Sequence, residues 1–224
     1  MAVFTPVAPD EAQRLFKSLG LGPICALVPT TGGIENTNYF VQTDAGGWVL
    51  TLFERLTASQ LPFYLGLMRH LADKGLPVPR PRADGSGSML HRVAGKPAAV
   101  VQRLAGEHLD APGLPEIAQL GAVLARLHLA AVDLPVVQPT LRGLSWWQQT
   151  VPVVLPHLAP PQAALLADEL RFIEAVAASP SWDALPRGPI HADLFRDNAL
   201  FEPVVGDGYL SLIHISEPTR LRRI

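Results

Sequence analysis

Cysteine, lysine and aromatic residues are scarce in this chain of 224 residues. Cys25 is the single cysteine, so neither an intrachain disulfide nor a cysteine-built zinc site can form. A lone residue of this kind is expected to be a small buried apolar group. Of the 18 basic residues, Lys17, Lys74 and Lys96 are the only lysines. Charged residues make up 17% and the net charge is -2, so nothing in the composition points to a disordered chain or a nucleic-acid-binding surface. No apolar run approaches the ~20 residues that a bilayer-crossing helix needs. Residues 1–6 lack the basic segment followed by an apolar one that marks a secretory signal. The expectation is a soluble cytoplasmic protein with no membrane and no nucleic-acid partner. Composition leaves the oligomeric state undetermined.

Hydrophobic residues, at 48%, are ample for a core, and the 22 prolines fall mostly between candidate elements. The length fits one domain or two small lobes. Residues 10–20 read as a short helix with Asp10 as N-cap and Gly20 as stop. Residues 38–43 and 48–53 flank Asp44-Ala45-Gly46-Gly47, a hairpin signal. Ahead of it lie Gly32 and Gly33, where a backbone without side chains can approach a phosphate. Leu61, Tyr64, Leu65, Met68 and Leu71 recur at threes and fours, which predicts a helix over 61–74, ended by Gly75. A second hairpin is expected from 88–91 and 98–104 across Ala94-Gly95-Lys96-Pro97. From about residue 105 the pattern turns helical, with amphipathic stretches at 116–131, 142–154 and 161–178. His128 reads as a packing residue near the end of the first of these. Trp146 and Trp147 are adjacent on a helix and cannot point the same way, so one is expected in the core and the other at a surface or pocket.

The stretch with the most chemistry is Gly188-Pro189-Ile190-His191-Ala192-Asp193-Leu194-Phe195-Arg196-Asp197-Asn198, followed by Ala199-Leu200-Phe201. Its H-x-D-x-x-x-x-N spacing is that of a phosphoryl-transfer catalytic loop. In such a loop the aspartate accepts or orients the proton of an attacking hydroxyl, and the asparagine turns back to a magnesium ion on the nucleotide phosphates. Ile190 and Leu194 can anchor the loop, and 199–201 can form the next strand. A polar surface loop with an Asx-turn would use the same residues.

Taken with Gly33-Ile34-Glu35-Asn36-Thr37-Asn38-Tyr39-Phe40, Trp48-Val49-Leu50-Thr51-Leu52-Phe53-Glu54, Gly75-Leu76-Pro77-Val78-Pro79 and Leu141-Arg142-Gly143-Leu144-Ser145-Trp146-Trp147, the chain resembles the homoserine kinases of the aminoglycoside phosphotransferase/choline kinase superfamily over residues 1–211. The resemblance implies an α+β, protein-kinase-like two-lobe fold. Its nucleotide-binding N-lobe, at 1–104, would be an antiparallel sheet with a helix. Its C-lobe, at 105–211, would be mainly helical and incomplete. It implies ATP and Mg2+ as cofactors and L-homoserine as the small-molecule substrate, phosphorylated on its hydroxyl. Asp193 would be the base and Asn198 the metal ligand, with His191 shaping the loop. Gly32 and Gly33 would lie over the phosphates, and Val101, Gln102 and Arg103 would run past the adenine. Choline, another amino alcohol or an aminoglycoside stay open as substrates, as does nucleotide binding without turnover.

Two departures from that pattern matter. Thr51 stands where related kinases place a phosphate-contacting lysine or arginine, and Arg55 is the candidate replacement. The second metal aspartate of the superfamily would fall near Ile215, where none is found. Residues 212–224 match nothing in the family and read as a non-native tail, so the fragment is expected to be inactive. The apolar faces of 116–131 and 161–178 are expected to be left exposed.

Overall fold

Alternating side chains over 36–53 offer one face to a core and the other to a second layer. The computed structural model describes residues 4–30, 35–202 and 210–212. Compact packing divides the chain into two units. One runs to Val123 and takes up the chain again from Phe195, and the other spans Leu124–Leu194.

The first unit is built on a five-stranded antiparallel sheet of order β1-β2-β3-β5-β4. Its strands are β1 (Ile24–Pro29), β2 (Asn36–Thr43), β3 (Gly46–Phe53), β4 (His91–Val93) and β5 (Lys96–Gln102). Both expected hairpins form, with tighter turns than the spacing suggested. Thr43 pairs with Gly46, leaving Asp44-Ala45 as the turn. Val93 pairs with Lys96, so Ala94-Gly95 alone make the second turn, and residues 88–90 lie outside the strand. Ala94 and Gly95 both have positive φ, 50° and 76°, the signature of the primed turn that matches strand twist. The N–H of Ala94 is fixed by the Glu11 carboxylate at 2.7 Å, which helps a residue with a Cβ hold that conformation.

Helix α1 (Pro9–Ser18) covers one face of the sheet. Ala12 and Phe16 pack with Leu50, Leu52, Ala98 and Val100, all fully buried. Its N-cap is Ala8 with Pro9 at the first position, so Asp10 sits in the first turn and not at the cap. Helix α2 (Leu61–Asp73) covers part of the other face, where Leu65 and Met68 meet Ala99, Phe53 and Val101. The N-terminal segment is tied down by buried Thr37. Its hydroxyl accepts from the N–H groups of Phe4 and Thr5 at 2.9 and 3.1 Å and donates to Glu54 at 2.7 Å. Burial pushes the Glu54 carboxyl up, but hydrogen bonds from Thr37, Thr5 and Lys96 outweigh it and hold the group below the usual carboxylate range.

Cys25 departs from expectation. It is exposed, because β1 is an edge strand whose pairing slips between Ile24 and Ala26.

Helix α3 (Leu114–Ala130) leads into the second unit. There follow α4 (Leu144–Val154), α5 (Pro160–Ala177) and a short α6 (Pro180–Ala184). Trp146 and Trp147 are both partly buried and meet edge to face at 5.2 Å, so neither is a clean core or surface residue. Back in the first unit, β6 (Ala199–Phe201) pairs antiparallel with β7 (Leu210–Leu212).

Candidate functional site

The H-x-D-x-x-x-x-N stretch falls across the two units, and each half has its own anchorage. In the second unit His191 is buried, 6% exposed, and Asp193 is partly buried. The N–H of Asp193 donates to the carbonyl of His191 at 2.8 Å and closes a three-residue turn. At its centre Ala192 has φ 55°, a left-handed conformation that a Cβ disfavours. The N–H of His191 donates to Nε2 of His128 on α3 at 3.1 Å. That acceptor requires a neutral imidazole with its proton on Nδ1. Burial pushes the His128 pKa below its ordinary value, which favours the same form.

In the first unit Asn198 ends a short 3-10 turn, Arg196–Asn198, directly before β6. Its own N–H donates to the carbonyl of Phe195 at 2.9 Å. The segment is held against residues 106–110. Glu107 and Phe201 exchange two backbone hydrogen bonds, at 3.0 and 2.9 Å. Nδ1 of His108 lies 3.0 Å from the carbonyl of Ala199, and Arg196 donates to the carbonyl of Asp110 at 2.9 Å. Gly106 is required for this approach. Its φ is 105°, and a Cβ there would stand 3.0 Å from the Phe201 carbonyl oxygen.

The same unit carries a sheet face that α2 covers only in part. Phe40 and Val28 are 38% and 53% exposed on it, and the Arg103 guanidinium lies 4.1 Å from the centre of the Phe40 ring. Val101 and Gln102 lie on β5, with Arg103 next in the chain. The N–H of Gln102 donates to Arg80, and that of Arg103 donates to Gly47. These two amides are therefore already used. Thr51 donates its hydroxyl to Oδ1 of Asn38 at 2.7 Å. Lys96 is paired with Glu54 at 3.0 Å, and Arg55 is exposed just past β3. Gly32 and Gly33, and the tail beyond Leu212 with Ile215, lie outside the described residues. Among the described residues no three His, Cys, Asp or Glu side chains gather as a metal site.

Sequence reading did not pick out Gly106, His108, Arg196 or His128 as supports for the loop. Their partners lie far away in the chain, 63 residues for His128 and 91 for His108.

Comparison with known proteins matches residues 26–212 to the phosphotransferase enzyme family. A homoserine kinase of Polaromonas naphthalenivorans (strain CJ2) is 57% identical over 202 residues, 90% of this chain and 64% of that protein. A homoserine kinase of Janthinobacterium sp. (strain Marseille) is 47% identical over 201 residues, 90% of this chain and 62% of that protein. The chain thus spans a little under two thirds of the length of these curated relatives. Among solved structures, an amicoumacin kinase in complex with AMP-PNP, Ca2+ and Ami superposes with a TM-score of 0.65 at 18% identity, covering 91% of this chain and 66% of that one. A spectinomycin phosphotransferase in complex with ADP and spectinomycin gives 0.62 at 15%, covering 94% and 71%. These two share the protein-kinase-like fold expected from the sequence. With its family model matched over most of its length, the chain belongs to the phosphotransferase enzyme family.

Proposed function

We propose that this chain carries the nucleotide-binding and catalytic-loop parts of an ATP-dependent kinase that phosphorylates the side-chain hydroxyl of L-homoserine to O-phospho-L-homoserine. The observation that carries the reading is the 57% identity to a homoserine kinase over 202 residues. Residues 1–104 would serve as an N-lobe and 105–211 as part of a C-lobe, with 212–224 a non-native tail.

Asp193 is the base. Its carboxylate takes the proton of the substrate hydroxyl as that oxygen attacks the γ-phosphorus, and the bond to the leaving ADP oxygen breaks. Little covalent chemistry is asked of the protein, so orientation and charge are what it supplies. Asn198 would hold Mg2+. An amide oxygen suits a hard cation that takes one or two protein oxygens and keeps waters and phosphate oxygens for the rest. When bound, that ion neutralises charge on the transferring phosphoryl group. Gly32 and Gly33 would approach the phosphates with bare backbone. The open sheet face at Val101, Gln102 and Arg103 would take the base. ATP use is supported by the nucleotides held in the amicoumacin and spectinomycin enzymes. These reactants are small and water-soluble, in keeping with a cytoplasmic enzyme. No described helix is long and apolar enough to cross a membrane.

A kinase for an aminoglycoside, choline or another amino alcohol is the second reading, favoured by solved neighbours that include a choline kinase with a TM-score of 0.56. A coupled ATP-consumption assay with homoserine, choline and an aminoglycoside tests both readings. It is run on the chain as it stands and on the chain joined after Ser211 to the remainder of the Polaromonas relative. Homoserine should give the highest kcat/KM. Asp193→Asn should lower turnover about 10²- to 10⁴-fold while leaving nucleotide affinity unchanged. A higher kcat/KM with another alcohol would overturn the substrate, and undiminished turnover in Asp193→Asn would overturn the base.

A further inference from the structure

A three-residue turn with a positive φ at an alanine does not hold itself. The conformation at Ala192, φ 55°, is one that a Cβ makes costly, and such residues persist where the surroundings over-determine them. Two features of the second unit do so here. The His191 side chain is buried, and the His191 N–H, on the residue that opens the turn, donates to Nε2 of His128. The same His191 supplies the carbonyl that Asp193 caps. One residue is therefore gripped from α3 through its N–H and from Asp193 through its C=O.

We propose that His128 is a positioning residue for phosphoryl transfer: its Nε2 lone pair, acting through the His191 N–H, holds the strained turn that presents Asp193. The proposal rests on the reading of Asp193 as base. A packing histidine would need only its volume, which leucine nearly matches. A positioning histidine needs an acceptor at the Nε2 position, which glutamine can supply and leucine cannot. Asparagine reaches only to the place of Nδ1.

The test compares His128→Leu, His128→Gln and His128→Asn by amide hydrogen exchange at His191, by kcat and by nucleotide affinity. His128→Leu should speed His191 exchange and lower kcat by about ten- to a hundredfold, the cost of orphaning a partly buried N–H, with nucleotide affinity unchanged. His128→Gln should return both most of the way to the parent. Ala192→Gly, which removes the strain, should shrink the penalty of His128→Leu. Unchanged His191 exchange in His128→Leu would overturn the proposal, as would faster exchange with undiminished kcat. Should His128→Leu fail to fold, His128→Gln and His128→Asn decide the matter, and equal exchange in those two overturns it. The kinetic arms use the chain joined after Ser211 to the remainder of the Polaromonas relative; no turnover of any alcohol by that protein would overturn the phosphotransfer reading, and exchange at His191 would still decide the contact.

Discussion

The sheet unit and the helical unit treat their apolar residues in opposite ways. In the first, Phe16, Leu50, Leu52 and Val100 are wholly buried between α1 and the sheet. In the second, α5 buries none of its residues and leaves Leu165 and Phe172 at 70% and 62% exposed. Both patterns follow from the sequence. An alternating strand gives one complete face to a core, whereas an amphipathic helix only offers a stripe that something else must cover. The two halves of the H-x-D-x-x-x-x-N stretch inherit the difference. Asn198 precedes a strand locked to residues 106–110 by a run of backbone and side-chain hydrogen bonds. Asp193 closes a strained turn whose first residue is buried and donates its N–H to His128. Local stability should therefore be concentrated in the sheet unit.

The largest effect that would sharpen this contrast is in the core. Leu52→Ala should cost about 2–5 kcal/mol, because it leaves a cavity in a fully packed layer. Leu165→Ala on α5 should fall within about 0.5 kcal/mol of the parent. Urea denaturation of both variants checks the pair, and equal losses would erase the distinction between the units. Next comes Gly106→Ala, which combines a positive φ with a Cβ against the Phe201 carbonyl. It should cost about 1–3 kcal/mol. Because the strain lies beside β6, it should also raise the Mg2+ concentration needed for half-maximal rate through Asn198. A magnesium titration on the variant reads that out.

What the sequence made legible is what is local. The two hairpins, the helices and their glycine stops are written in periodicity and turn residues, and the strand after Asn198 follows from three apolar residues behind a polar loop. Cys25 was misread because burial of a small residue depends on whether its strand is an edge, which pairing decides. The Asp10 cap was misread because Pro9 can open the helix one residue earlier. The supports of the loop were illegible for a different reason. Gly106 resembles any loop glycine until Phe201 arrives against it, and His128 resembles a core histidine until His191 donates to it. An alanine at position 192 gives no hint of a left-handed conformation.

A pH series would test the helical side of the contrast. Burial lowers the pKa of His128 from its ordinary 6.5, so the unfolded chain takes up this proton first as pH falls. The contribution to stability is therefore fully present above pH 6.5 and is lost as pH drops through the lower folded value. The urea midpoint should fall between about pH 7.5 and about pH 5.5, and the part of that fall due to His128 should be missing in His128→Leu. Parallel slopes in the two proteins would show that His128 carries none of it.

The smallest expected effect belongs to the sheet side. Arg103 lies over Phe40 at the end of the sheet that carries the Asp44-Ala45 turn, beside Gly47, to which its own N–H donates. The planar guanidinium covers an exposed ring on the sheet face that the proposed function assigns to the base. Removing it should help the base, by no more than the strength of an exposed cation–π contact. Arg103→Ala should bind ADP about two- to fivefold more tightly, and Arg103→Lys should fall between that variant and the parent. Titration calorimetry with ADP gives the answer directly. Weaker binding in Arg103→Ala would mean that the arginine holds the nucleotide, and the sheet face would then have to be counted as a ligand-gripping surface and not as a covered one.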